Sequence, residues 1–287
     1  MDDNTGGRRV AWPWRVAASV AGMAVLLGGC GSGDNDDDKA DEPNPSASSA
    51  SSGSPAPASS GSPSASATGG DSTSLSPFRA DPARVPRTKQ QAEALAAAVA
   101  LGPEAWGADF RAQRQATSTP RTVAVLDEEC RWERRPLPKG VLASLSRYSE
   151  LPGTGGKGEI KVTAAVTVHT TVLDADDQMS TTLEEPLRCR EQQVRTDERI
   201  SELMSTGIAY GQASNDYADD HVVEMGYYLT GTAKQRYFWF VTRLGTVTLA
   251  VSVKGAKGYT DSELNQYGSQ ASSTMLSRVE FELGEKN

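Results

Sequence analysis

Between Pro43 and Ser74 the chain carries no Val, Ile, Leu, Met, Phe, Trp, Tyr or Cys, and Ser, Ala, Pro and Gly dominate. Such a stretch cannot bury enough apolar surface to offset the entropy of ordering it. Any core must come from the sequence that follows. The chain has 287 residues and a hydrophobic content of 37%, low for one compact unit of that length and consistent with a large part lying outside any core. Lys and Arg number 29 against 37 Asp and Glu, a net charge of −8, so a general nucleic-acid binder, which needs a basic face, is excluded.

The first thirty residues point to export. Arg8, Arg9 and Arg15 form a positive region diluted by Asp2 and Asp3, and a 12-residue apolar run follows from Val16 to Leu27, interrupted by Ser19 and Gly22. That length suits a signal peptide and falls short of the roughly 20 residues a spanning helix needs. The stretch Leu27-Gly28-Gly29-Cys30 resembles the lipobox of bacterial lipoproteins. The resemblance implies cleavage before Cys30 and diacylation of that cysteine with chains such as palmitate. Residues 1–29 are then a signal peptide, and Cys30 anchors the protein to the outer face of the cell membrane. Each buried CH₂ contributes about 0.8 kcal/mol, and two chains hold stably. An ordinary secretory leader with a chance cysteine is the alternative. Arg8-Arg9 also permits twin-arginine export, but no Ser or Thr precedes the pair, so general secretion is the default.

Residues 30–87 read as the lipidated Cys and a disordered linker, and a flexible coil of that length spans roughly 40 Å. Within it, Asp34, Asp36, Asp37 and Asp38 read as a solvated acidic run rather than a Ca²⁺ site.

Residues 88–287 read as a single extracytoplasmic domain. Thr88 and Gln91 form a capping box that opens an Ala-rich helix through Val99, and Pro103 suits a second short helix through Trp106 and Phe110. A strand runs from Val123 through Cys130 to Trp132, and Leu142 and Leu145 suit a short helix. From Ile160 to Val172 apolar and polar residues alternate, the signature of an antiparallel strand with one buried and one polar face. Asp174 is placed to cap a helix carrying Met179, Leu183 and Leu187 on one face, with Pro186 loosening its last turn. Strands follow at Ile200–Ser205 and Val222–Leu229, then a hairpin of Tyr237–Thr242 and Val247–Lys254. Thr260 and Glu263 cap a last amphipathic helix through Val279 that ends by Gly284. The fold class is α+β: an antiparallel sheet of about five strands with helices mainly on one face. Tyr237-Phe238-Trp239-Phe240 marks a central strand buried on both sides, or a platform on which a ligand stacks.

With Cys30 acylated, Cys130 and Cys189 are left to bridge in an oxidising compartment, the alternative being two buried thiols. No catalytic, cofactor or metal site is recognisable. The glycine run 153–158 lacks the Gly and Ser/Thr of a phosphate-binding loop, with Leu151 and Gly158 at those places. Asp174, Asp176 and Asp177 start like a calcium loop, but Met179 replaces its turn glycine, so they read as acids at a helix N-terminus. Tyr217-Ala-Asp-Asp220 reads as a coincidence with a polymerase tetrapeptide. His221 follows Asp219 and Asp220 and could pair with them. His169 lies on the polar face of its strand, exposed or packed by a helix.

The order of a cysteine-bearing strand (Cys130), a long alternating strand (Ile160 to Val172), a helix ending in a cysteine (Asp174 to Cys189), a strand pair (Tyr237 to Val253) and a final helix (Thr260 to Val279) resembles the PknH-like extracellular sensor domains and related lipoproteins of actinobacteria. That resemblance implies an antiparallel sheet with helices and a ligand-binding cleft without catalytic chemistry. That family commonly has two disulfides, and this chain can form one. The expected function is non-catalytic recognition of an envelope ligand or protein partner. A structural or assembly lipoprotein and an unrecognised envelope hydrolase using His169 or His221 are the alternatives.

Overall fold

The computed structural model describes residues 78–285. Cys30, the leader and Asp34 to Asp38 lie outside the described residues. The elements are α1 (Lys89–Val99), β1 (Arg111–Thr117), β2 (Thr122–Leu126), β3 (Trp132–Pro136), β4 (Val141–Leu151), β5 (Ile160–His169), α2 (Val172–Arg188), β6 (Gln192–Arg195), β7 (Glu198–Ala209), β8 (Asp220–Thr230), β9 (Ala233–Leu244), β10 (Val247–Lys254) and α3 (Asp261–Leu283). Eight strands form one antiparallel sheet in the order β1-β4-β5-β10-β9-β8-β7-β6, and β2 and β3 pair separately as a hairpin. Most neighbours are consecutive in the chain. There are two exceptions: β1 pairs with β4 across the β2–β3 hairpin, and β10 returns after α2 and four strands to pair with β5 from Val247↔Val168 to Lys254↔Lys161.

Period-two patterning decides what each face of the sheet meets. Val162, Val166, Leu249, Val251, Phe238 and Phe240 point to one face and form the main core with Leu95 and Val99 of α1 and Leu264, Met275 and Val279 of α3. Both expected capping boxes are present, at Thr88 with Gln91 and at Thr260 with Glu263, and α3 ends at Gly284. The opposite face carries a smaller cluster of Met179 and Leu183 of α2 with Val222, Trp239 and Val241. Helices therefore cover both faces, not mainly one, and the sheet has eight strands rather than about five.

The missed strands have local causes. β1 is Arg-Ala-Gln-Arg-Gln-Ala-Thr, almost wholly exposed, a polar edge with no apolar period to detect. β4 pairs with β5 through a bulge between Val141 and Ala143. The extra residue sets Leu142 and Leu145 both against the main core, three apart, which imitates a helix. After Pro103 there is one short 3₁₀ turn, Pro103–Ala105, rather than a helix through Phe110. Cys130 lies in the turn between β2 and β3, at φ 61°, not on a strand. The α2 cap is Thr171, whose side chain accepts from the Asp174 backbone N–H. Its buried residues are Ala175, Met179, Thr182, Glu185 and Pro186, whereas Leu187 is 85% exposed. Ahead of Thr88, Ala80 pairs with Gly284 and Phe78 packs on the core, so residues 78–87 belong with the folded unit rather than the linker.

Candidate functional site

On the α2 face, strands β4, β5 and β10 present small side chains at the middle of the sheet: Ser146, Thr163, Ala165, Thr167, Ala250 and Ser252. The β2–β3 hairpin arches above this floor. From it, Trp132 meets Trp239 of β9 edge to face, with ring centroids 5.4 Å apart, and donates through Nε1 to Oε1 of Gln192 at 2.7 Å. Small residues below and a hairpin above leave two adjoining spaces, of about 340 and about 350 Å³, that share Trp132, Trp239, Ala165 and Ala250 as lining. Each falls within the range of small-molecule sites, roughly 300–1,000 Å³.

The hairpin is fixed at its turn. Cys130 is bonded to Cys189 at the end of α2. The Gln193 N–H donates to the Cys130 carbonyl at 2.8 Å, and Arg188 donates to the Asp127 carbonyl at 2.8 Å. Asp127 accepts from the Arg131 backbone N–H at 2.7 Å, which holds its carboxyl below the usual carboxylate range despite partial desolvation.

The two ends of the cleft differ in charge. At one, Glu198 is buried and accepts from Lys161 and Lys254 at 3.0 and 2.9 Å and from Arg195 at 3.2 Å. Burial pushes the Glu198 carboxyl up, but the Lys254 and Lys161 ammonium groups outweigh that and hold it at about 2. Because β7 lies three strands from β10 in the sheet order, this contact records how far the sheet curls. At the other end, His169 Nε2 lies 2.9 Å from Oε1 of Gln178 on α2 and 3.2 Å from Thr248 Oγ1. Burial lowers its pKa, partly opposed by the Gln178 contact and Asp174. Asp174 accepts from Thr170 and Thr171, and Glu185 is on the buried side of α2, where burial raises it to about 7.

Of the expected site residues, the structure joins Cys130 to Cys189. It separates the two histidines. His169 faces the cleft, whereas His221 sits on the other face, stacked on Phe240 and 3.0 Å from Thr242 Oγ1. Asp219 and Asp220 do not pair with His221. They bind Arg243, at 3.0 Å to Nη1 and 2.7 Å to Nε respectively. The Tyr237–Phe240 run lies on a central strand with both faces covered: Phe238 and Phe240 fill the main core, and Trp239 lines the cleft. The glycine run 153–158 instead joins the start of the loop before α3, Gly158 donating to the Lys257 carbonyl at 2.8 Å. Asp174, Asp176 and Asp177 lie in the first turns of α2, and among the described residues no group of three or more His, Cys, Asp or Glu is placed to hold a metal. No described helix is long and apolar enough to cross a membrane.

Lys161, Glu198, Lys254, Trp132 and Ala250 escaped sequence reading. Only the β5–β10 register makes Lys161 and Lys254 neighbours, and that register closes across a long insertion. A lysine at the polar end of each strand was the sole trace of it.

No family model and no curated protein matches the chain. Among solved structures, an uncharacterised protein of Mycobacterium smegmatis, described as an Rv0999 ortholog, is similar over 69% of this chain and 97% of its own, with 12% identity and a TM-score of 0.32.

Proposed function

We propose that the chain is a lipid-anchored extracytoplasmic protein whose domain binds a small ligand in the cleft beneath the β2–β3 hairpin. One observation carries the reading: a floor of Ala and Ser side chains is roofed by a disulfide-fixed hairpin, with Trp132 and Trp239 as walls. Polar faces that serve only solubility need no roof. Binding sites are concave, aromatic-lined and furnished with a few polar groups, and this cleft has each property. Recognition is favoured over hydrolysis because Nε2 of His169 is held by Gln178 and Thr248, and His221 points away from the cleft. The anchor rests on the sequence around Cys30.

Native mass spectrometry of the mature chain isolated from its host membrane tests this. The expected spectrum shows a bound small-molecule mass that is lost in Ala250→Phe, a substitution that fills the floor. A stoichiometric protein partner with no small mass, unchanged by Ala250→Phe, would contradict it and favour an assembly role. Failure of labelled palmitate to enter the protein would remove the anchor.

A further inference from the structure

We propose that the Lys254 end of the cleft receives the anionic group of an amphiphilic ligand whose apolar body lies against Trp132 and Trp239; this deepens the cleft reading and rests on it. The first ground is the register. Lys161 and Lys254 are direct cross-strand partners, an arrangement that like charges make unfavourable. Glu198 offsets it, but the same carboxylate also serves Arg195, so three cations share one anion. Arg134 enters the same space from the hairpin and bonds to Thr122 and Ser146, with no carboxylate among the described residues. Glu133 also faces the space and is taken by Arg135. A cationic pocket thus sits inside a chain whose net charge is −8.

The second ground is burial. The Lys254 side chain is only 12% exposed. Its ammonium is partly desolvated, and an arriving anion meets it with little screening. Burial lowers the Lys254 pKa, opposed by Glu198. Ammonium and guanidinium donors suit carboxylate, phosphate or sulfate oxygens. The third ground is polarity along the cleft. Asp174 and Asp177 stand at the far end, with Lys139 beside them. An anion is therefore directed toward Lys254, which leaves its apolar part beside the tryptophans.

The test titrates the mature, disulfide-intact chain with two fluorescent probes: anilinonaphthalene sulfonate and phenylnaphthylamine, the same ring system without the sulfonate. The sulfonate is expected to bind about tenfold tighter, about 1.4 kcal/mol, with the difference shrinking as NaCl rises. Lys254→Met and Arg134→Gln should each erase the preference and leave phenylnaphthylamine affinity unchanged. Arg134→Gln guards against a folding defect in Lys254→Met, since it removes no ion pair. Equal affinities for both probes, each weakened by Trp239→Ala, would overturn the anionic assignment while leaving a binding cleft. Affinities unaffected by Trp239→Ala would overturn the cleft reading as well.

Discussion

Glu224 is fully buried on β8 opposite Trp239, and neither of its carboxyl oxygens has a hydrogen-bond partner. Burial, reinforced by Glu185, raises it to about 8. A folded pKa above the ordinary value of 4.5 means that the fold holds its proton more tightly than the unfolded chain does. The stabilisation is complete below that value and is lost as pH rises through about 7 for Glu185 and about 8 for Glu224. Glu198 has the opposite sign: held at about 2, it contributes above its ordinary value of 4.5 and loses that contribution as pH falls toward 2. These three carboxyls together therefore favour the range near pH 5 over pH 8. Urea denaturation of Glu224→Gln should show a flatter alkaline limb, with a gain on the order of a few kcal/mol at high pH and little change at about pH 5. A parallel decline in both proteins would show that Glu224 is not the group involved.

At the scale of elements, α3 crosses β9 closely at Gly268. A Cβ there would lie 2.1 Å from Cε2 of Phe240. Alanine normally stabilises a helix interior by about 1 kcal/mol over glycine, but Gly268→Ala should cost about 1–3 kcal/mol by displacing a packed ring. Thermal unfolding should show Phe240→Leu restoring part of that loss. The hairpin offers a second test. Replacing Cys130 and Cys189 by Ser removes a cross-link closing 59 residues, worth about 4 kcal/mol by chain entropy. Amide exchange should quicken in β2 and β3 while the α1 and α3 core stays protected. Elements with short-range signals were legible: the boxes at Thr88 and Thr260, the alternation of β5 and the β9–β10 hairpin. Those shaped by edges or bulges were not. β1 buries too little to leave a pattern, and the bulge in β4 brought Leu142 and Leu145 into phase with a helix.

For the whole molecule, the cleft follows from three distant segments. The polar alternate residues of β5, taken alone, read as a face turned to water. In the fold they become a floor because residues 122–136 arch over them and β7 curls round to deliver Glu198 to Lys161 and Lys254. No local pattern encodes that enclosure, so the sheet's core face was legible and the face lining the cleft was not. The core and the cleft lie on opposite faces of the same strands, which allows each to be reported separately. The most direct test is the methyl NMR spectrum of alanine-labelled domain as anilinonaphthalene sulfonate is added. Ala124, Ala165 and Ala250 should shift in a saturable way, while Ala92, Ala96 and Ala271, packed on the opposite face, stay fixed. Shifts confined to the second group, or to neither, would contradict a ligand site beneath the hairpin.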